Sequence, residues 1–113
     1  MARYRLSTRS QRDLATILTT SLERWGPERQ HRYARLLLAT FEAAATDPRG
    51  PSTRPTAIRG VRCLHAKHLP HQEVKDPVHL VYFRVRASVV EIVRVLHERM
   101  DVERQLRPTR RAR

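Results

Sequence analysis

From Thr8 onward the apolar residues recur every three or four positions: Leu14, Ile17, Leu18, Leu22 and Trp25. That is the period of an amphipathic helix with one apolar stripe. Thr8 stands three residues before Gln11, the spacing of a capping box, which predicts the helix start there. Gly26 and Pro27 end this helix and open another, because glycine suits a C-terminal cap and proline the first helical turn. The second helix carries Tyr33, Leu36, Leu37, Phe41 and Ala44 on one face. So short a connection predicts an antiparallel helical hairpin. Ahead of it, Tyr4-Arg5-Leu6 reads as a short strand.

After residue 46 the pattern changes. TDPRGPSTRPT, residues 46–56, holds three prolines and a glycine and reads as a surface loop. Beyond it the apolar period is two, and β-branched and aromatic residues dominate. VRCLHAKHL (61–69), HLVYFRV (79–85) and VVEIVRVL (89–96) are the predicted strands. PHQEVKDPV (70–78) separates the first two, and only a few residues around Ala87–Ser88 separate the last two. A turn at Ala87–Ser88 sets Arg84 across from Glu91 as a cross-strand ion pair. Strict alternation puts Val93 and Val95 on one face of the last strand, Ile92 and Leu96 on the other. The order β–α–α–β–β–β predicts an α+β two-layer sandwich, with the N-terminal helical hairpin packed on a mostly antiparallel four-stranded sheet. Residues 1–106 form one domain, and the arginine-rich RPTRRAR at 107–113 is a tail expected to be disordered.

Charge changes the picture of what the domain meets. The chain has 23 Lys+Arg against 11 Asp+Glu, a formal charge of +12, and only Lys67 and Lys75 are lysines. Such a surface is drawn to phosphate polymers, anionic membranes or acidic proteins. Cys63 is the only cysteine, so no intrachain disulfide forms. The N-terminus lacks the apolar core of a signal peptide, and LLLA (36–39) is too short to span a bilayer. The expectation is a cytoplasmic protein that does not engage a membrane.

Candidate chemistry is sparse. His65, His68 and His71 look like a metal box, but on a strand His65 and His68 point to opposite faces, and Pro70 breaks the backbone before His71. No metal and no cofactor is expected. Cys63, within a strand, reads as a small core residue rather than a reactive thiolate. Arg84, Glu91 and His97 would suit RNA cleavage, yet His97 lies six residues beyond Glu91, roughly 20 Å at strand rise. No catalytic set survives. Nucleic-acid readout lacks both a base-reading helix and aromatic residues interleaved with arginine. Leu14, Ile17, Leu18 and Trp25 instead offer anchors of the helix-in-groove kind.

Three quoted stretches, in order, carry a resemblance. YRLSTRSQRDLATI, SLERWGPERQHRYARLL, and HLVYFRV followed by VEIVRVLHERMD resemble the opening strand and helix, the Trp-Gly hairpin and the closing strands of ParE-type toxins. These belong to the RelE/ParE superfamily of bacterial type II toxin–antitoxin systems. The match covers about residues 3–106, and the "RVLH-x-x-MD" close is its most specific part. The resemblance implies a non-enzymatic toxin that binds and inhibits DNA gyrase. It implies a ParD-type antitoxin that wraps the hairpin at Leu14, Ile17, Leu18, Trp25, Tyr33 and Leu37, and that carries the complex to operator DNA. It leaves a C-terminal cluster of Arg84, His97, Arg99, Met100 and Asp101 for target binding or for structure. In the structural alternative His97 bonds to backbone, Asp101 caps a turn in VERQL, and Arg84 and Arg94 are surface charges. RelE-like relatives cleave ribosome-bound mRNA, often with a Tyr or His near the C-terminus; the chain has no Tyr after Tyr82. A non-toxic, antitoxin-bound co-repressor is the third alternative. The 70–78 insertion and the tail depart from the family pattern.

Overall fold

A computed structural model describes residues 3–70 and 73–106. The elements are β1 (Tyr4–Leu6), α1 (Thr8–Trp25), α2 (Pro27–Thr46), β2 (Arg54–Pro55), β3 (Arg62–His65), β4 (His79–Arg86), β5 (Val89–His97) and α3 (Val102–Leu106), with a 3-10 turn at Ala66–His68. His71 and the 107–113 tail lie outside the described residues.

The α1 start is one residue off the predicted cap. Ser7, not Thr8, is the N-cap, and its Oγ accepts the Ser10 N–H at 3.0 Å. Gln11 reaches back to the Leu6 carbonyl rather than to the cap amide. At the other end Gly26 takes φ +91° and donates its N–H to the Leu22 carbonyl, and Pro27 begins α2. This left-handed conformation, open to glycine, turns α1 into α2 within one residue.

The sheet has five strands in the order β1-β5-β4-β3-β2, one more than predicted. β1 runs parallel to β5 and the other pairs are antiparallel. The extra strand is Arg54–Pro55, inside the stretch read as loop: it is two residues long and pairs with Arg62 and Cys63. No period can announce a strand that short. The predicted strand 61–69 is also cut to Arg62–His65, because the chain coils into the 3-10 turn at Ala66.

Leu36, Leu37, Phe41 and Ala44 of α2 bury completely against Leu64, Val81, Phe83, Val90, Ile92 and Val95 of the sheet. On the opposite face Val61, Tyr82 and Leu96 form a smaller cluster, covered by Ile58, Val102 and Leu106. Ile92 and Val95 thus share the helix-facing side, while Val93 and Leu96 share the other, which corrects the strict alternation. The reason is a bulge in β5. Tyr82 pairs with Arg94 but Phe83 pairs with Ile92, so Val93 is an extra residue that reverses the alternation beyond it.

Candidate functional site

On α1 the apolar stripe splits in two. Ser10 and Ser21 are its buried residues, and Leu14 and Ile17 pack against the main core between them. Two serines at the contact keep α1 close to α2 and the sheet. Leu18 is half-buried, and Leu22 and Trp25 are 42% and 54% exposed. Leu38 of α2 is 46% exposed as well. The guanidinium groups of Arg24 and Arg29 stand 5.7 and 4.7 Å from the Trp25 ring centroid, a cation–π pair that holds the indole at the surface. Of the expected docking residues, Tyr33 and Leu37 sit in the core, at 8% and 0% exposure. They support the hairpin from beneath rather than offering it a contact.

The expected C-terminal cluster is divided. Arg84 faces Glu91 in register and donates from Nε to its carboxylate at 2.8 Å, near the Ala87–Ser88 turn. His97 lies at the far end of β5. There Arg99 N–H donates to His97 Nδ1 at 3.0 Å, and Met100 N–H to the His97 carbonyl at 2.9 Å. Asp101 Oδ1 accepts the Arg104 N–H at 3.2 Å and starts α3. His97 and Asp101 therefore make the local backbone contacts of the structural alternative, and Met100 is left 46% exposed.

Arg94 is not a surface charge. Its Nε and a terminal nitrogen donate to the Asp13 carboxylate at 2.7 and 2.9 Å, and the other terminal nitrogen donates to the Gln105 carbonyl at 3.1 Å. The same carboxylate accepts the Val95 N–H at 2.9 Å, where β1 has ended and left the edge of β5 without a backbone partner. One side chain of α1 thus stands in for a missing strand and receives the arginine that ties down α3.

A second polar group is also new. At the ends of β4 and β5 His79 pairs with His97, with ring centroids 5.6 Å apart. Tyr33 Oη accepts the Val78 N–H at 3.3 Å and shares a hydrogen bond of 2.6 Å with His79 Nδ1. Burial, followed by the neighbouring His97 and His65, pushes His79 down to about 4, so its ring is neutral. Burial raises the Tyr33 hydroxyl. His65 Nδ1 accepts the Lys67 N–H, so its Nε2 carries the proton that Glu98 accepts at 2.8 Å. That hydrogen bond holds Glu98 below its ordinary range. Among the described residues no group of three His, Cys, Asp or Glu side chains is placed to hold a metal ion. Cys63 is half-buried, and burial raises its thiol although Arg54 and Arg62 pull the other way.

The Arg84–Glu91 register by itself would pair His79 with Leu96. The bulge at Val93 adds one residue and brings His97 there instead. Nothing in the spacing of the sequence marks that insertion.

The family model described as "ParE toxin of type II toxin-antitoxin system, parDE" matches residues 4–102. The chain belongs to the ParE toxin family. It is 37% identical over 107 residues to "Toxin ParE1" of Caulobacter vibrioides, a match that covers 94% of this chain and 99% of that protein. It is 33% identical over 106 residues to "Toxin ParE1" of Mycobacterium tuberculosis, covering 93% and 98% respectively. A chain of the solved "Chromosomal ParDE TA system from P. aeruginosa" superposes with TM-score 0.68 at 20% identity, covering 86% of this chain and 96% of that one. That likeness is one of fold. This ParE-type toxin therefore has the α+β architecture expected of it, with α2 carrying the larger share of the core and α1 left partly open.

Proposed function

We propose that this ParE-type toxin acts by docking onto DNA gyrase and halting it, and that a ParD-type antitoxin neutralises it by covering the helical hairpin. The carrying observation is the outer stripe of the hairpin. Leu18, Leu22 and Trp25 lie along one side of α1, and Leu38 is exposed on α2. Large apolar side chains held at a surface, one of them fixed by two arginines, are what an amphipathic helix of a partner buries. A charge of +12 suits an acidic partner.

A docking mechanism asks for no reacting group, and the polar clusters support it. His79 lies beneath α2 with Nδ1 occupied by Tyr33, and His97 gives its Nδ1 to the backbone. Neither histidine offers that nitrogen to a substrate as a base.

The test is a supercoiling assay with purified toxin, gyrase and relaxed plasmid, with trapping of cleaved DNA, run beside mRNA cleavage on ribosomes. Loss of supercoiling with trapped breaks, reversed by antitoxin, supports the reading. Cuts in mRNA with gyrase untouched overturn it in favour of the RelE-type activity, and silence in both favours the co-repressor.

A further inference from the structure

A groove of about 740 Å³ opens where α2 ends, beside the turn end of β4 and beyond the reach of the hairpin. Its wall is the 47–60 segment and its floor is the turn end of β4, with Phe83, Val85, Pro55, Ile58 and Val61 among the lining residues. Val85 is 54% exposed, although its neighbour on the same face, Phe83, is fully buried. Four arginines border this floor: Arg49, Arg59, Arg62 and Arg84, against a single acid, Asp47.

The groove is rigid for reasons written in its own hydrogen bonds. Thr56 Oγ1 donates to the Val61 carbonyl at 2.9 Å and accepts the Ile58 N–H at 3.1 Å, and Val61 N–H donates to the Ile58 carbonyl. That tight turn, with Gly60 at φ +82°, projects Arg59. Arg62 donates to the Pro48 and Thr53 carbonyls and to Thr53 Oγ1, which fixes the other half of the wall. Asp47 turns its carboxylate onto Gly50, where a Cβ would come within 2.9 Å of Oδ2. Arg84 is held by Glu91, while Arg49 and Arg59 are exposed with no ion pair among the described residues.

We infer that this groove is a docking site for an acidic peptide segment of a protein partner, with carboxylates on Arg49 and Arg59 and an aliphatic side chain on Val85. The charge fixes the sign of the occupant. The floor fixes its kind: the exposed surface there is aliphatic, and the one aromatic lining residue, Phe83, is buried. A nucleic-acid strand would find phosphate contacts but no platform for its bases. The segment lies across the floor rather than extending the sheet, because the edge strand β2 is two residues long and ends in Pro55. The site is distinct from the outer stripe of the hairpin, and the inference does not depend on gyrase being the target.

The experiment is fluorescence anisotropy of a labelled peptide alternating glutamate and leucine, titrated with the full chain. Arg49→Glu with Arg59→Glu is expected to weaken binding by about tenfold or more, two charge contacts being reversed. Val85→Ser is expected to weaken it by about threefold, by removing aliphatic contact at an exposed position that folding does not need. Arg12→Glu with Arg99→Glu, the same charge change at exposed positions away from the groove, is the control and is expected to change binding by less than about twofold at moderate salt. Equal loss in the control pair overturns the site in favour of diffuse attraction. Val85→Ser without effect, together with displacement of the peptide by duplex DNA, overturns it in favour of a polyanion surface. Absence of binding to the unaltered chain overturns it outright.

Discussion

Arg94 and Asp13 show how a charged pair becomes structural. Both side chains are only 13% and 14% exposed, and the carboxylate takes three hydrogen bonds from Arg94 and Val95. Arg94→Ala leaves a largely buried carboxylate with one donor, and unpairing of that kind costs several kcal/mol. We expect a loss of about 2–3 kcal/mol, read as a lower midpoint in urea unfolding monitored by Trp25 fluorescence. A loss below about 0.5 kcal/mol would return Arg94 to the rank of surface charges. The hairpin turn makes the opposite prediction. Ala87 and Ser88 both have positive φ, +48° and +66°, where side chains are strained. Ala87→Gly removes that strain and is expected to raise stability by roughly 0.5–1 kcal/mol in the same unfolding experiment. Destabilisation would mean that the turn does not hold these angles in solution.

Among the elements, α1 divides its labour between two faces. The inner residues Ser10, Leu14, Ile17 and Ser21 attach it to the rest of the fold, and the outer stripe Leu18, Leu22 and Trp25 is spared from packing. Substitutions on the outer face should therefore separate binding from folding. Trp25→Ala is expected to lower antitoxin affinity by about tenfold or more, as truncation of a central aromatic anchor does, with the melting temperature changed by no more than a few degrees. Calorimetric titration beside thermal unfolding measures both. Unaltered affinity would move the antitoxin away from the Trp25 face. Leu37→Ala should do the reverse: it empties a fully buried site and costs about 2–5 kcal/mol of stability.

At the scale of the molecule, acid should be the weakness of this fold. His79 joins α2 to the sheet through Tyr33, and it is neutral down to about 4 against an ordinary 6.5. Around it stand Tyr33 of α2, which Arg29 faces in turn, Asp13 of α1, His97 and Glu98 at the end of β5, and His65 of β3. Below pH 6.5 the unfolded chain takes up a proton at this position and the folded chain does not. Its contribution is thus complete above 6.5 and is lost as pH falls from 6.5 towards 4, by at most about 3 kcal/mol. His68, lowered by burial and then by Lys67, adds a smaller effect of the same sign. Urea unfolding of the unaltered chain and of His79→Gln across this range should give a difference that shrinks as the pH falls. A constant difference would show that His79 does not titrate between the two values.

Much of this was written locally. The 3.6-residue period of residues 14–44, the Gly26–Pro27 break and the change to alternating residues after 60 specify two helices followed by a sheet, because helix and strand periods are properties of neighbouring residues. The Arg84–Glu91 pairing follows from a two-residue turn for the same reason. The resemblance carried by the closing RVLHERMD identifies the family, since it needs only residue types in order. Tertiary structure decided the rest. Which half of the α1 stripe is buried depends on what lies beneath it, and periodicity cannot rank two apolar edges of one helix. The bulge at Val93 shifts the β5 register by one, reverses its faces and brings His97 to His79. Asp13 reaches Val95 and Arg94 because β1 stops at Leu6, across a separation of more than eighty residues. These contacts join parts of the chain whose nearness is created by folding, so no spacing along the sequence could encode them.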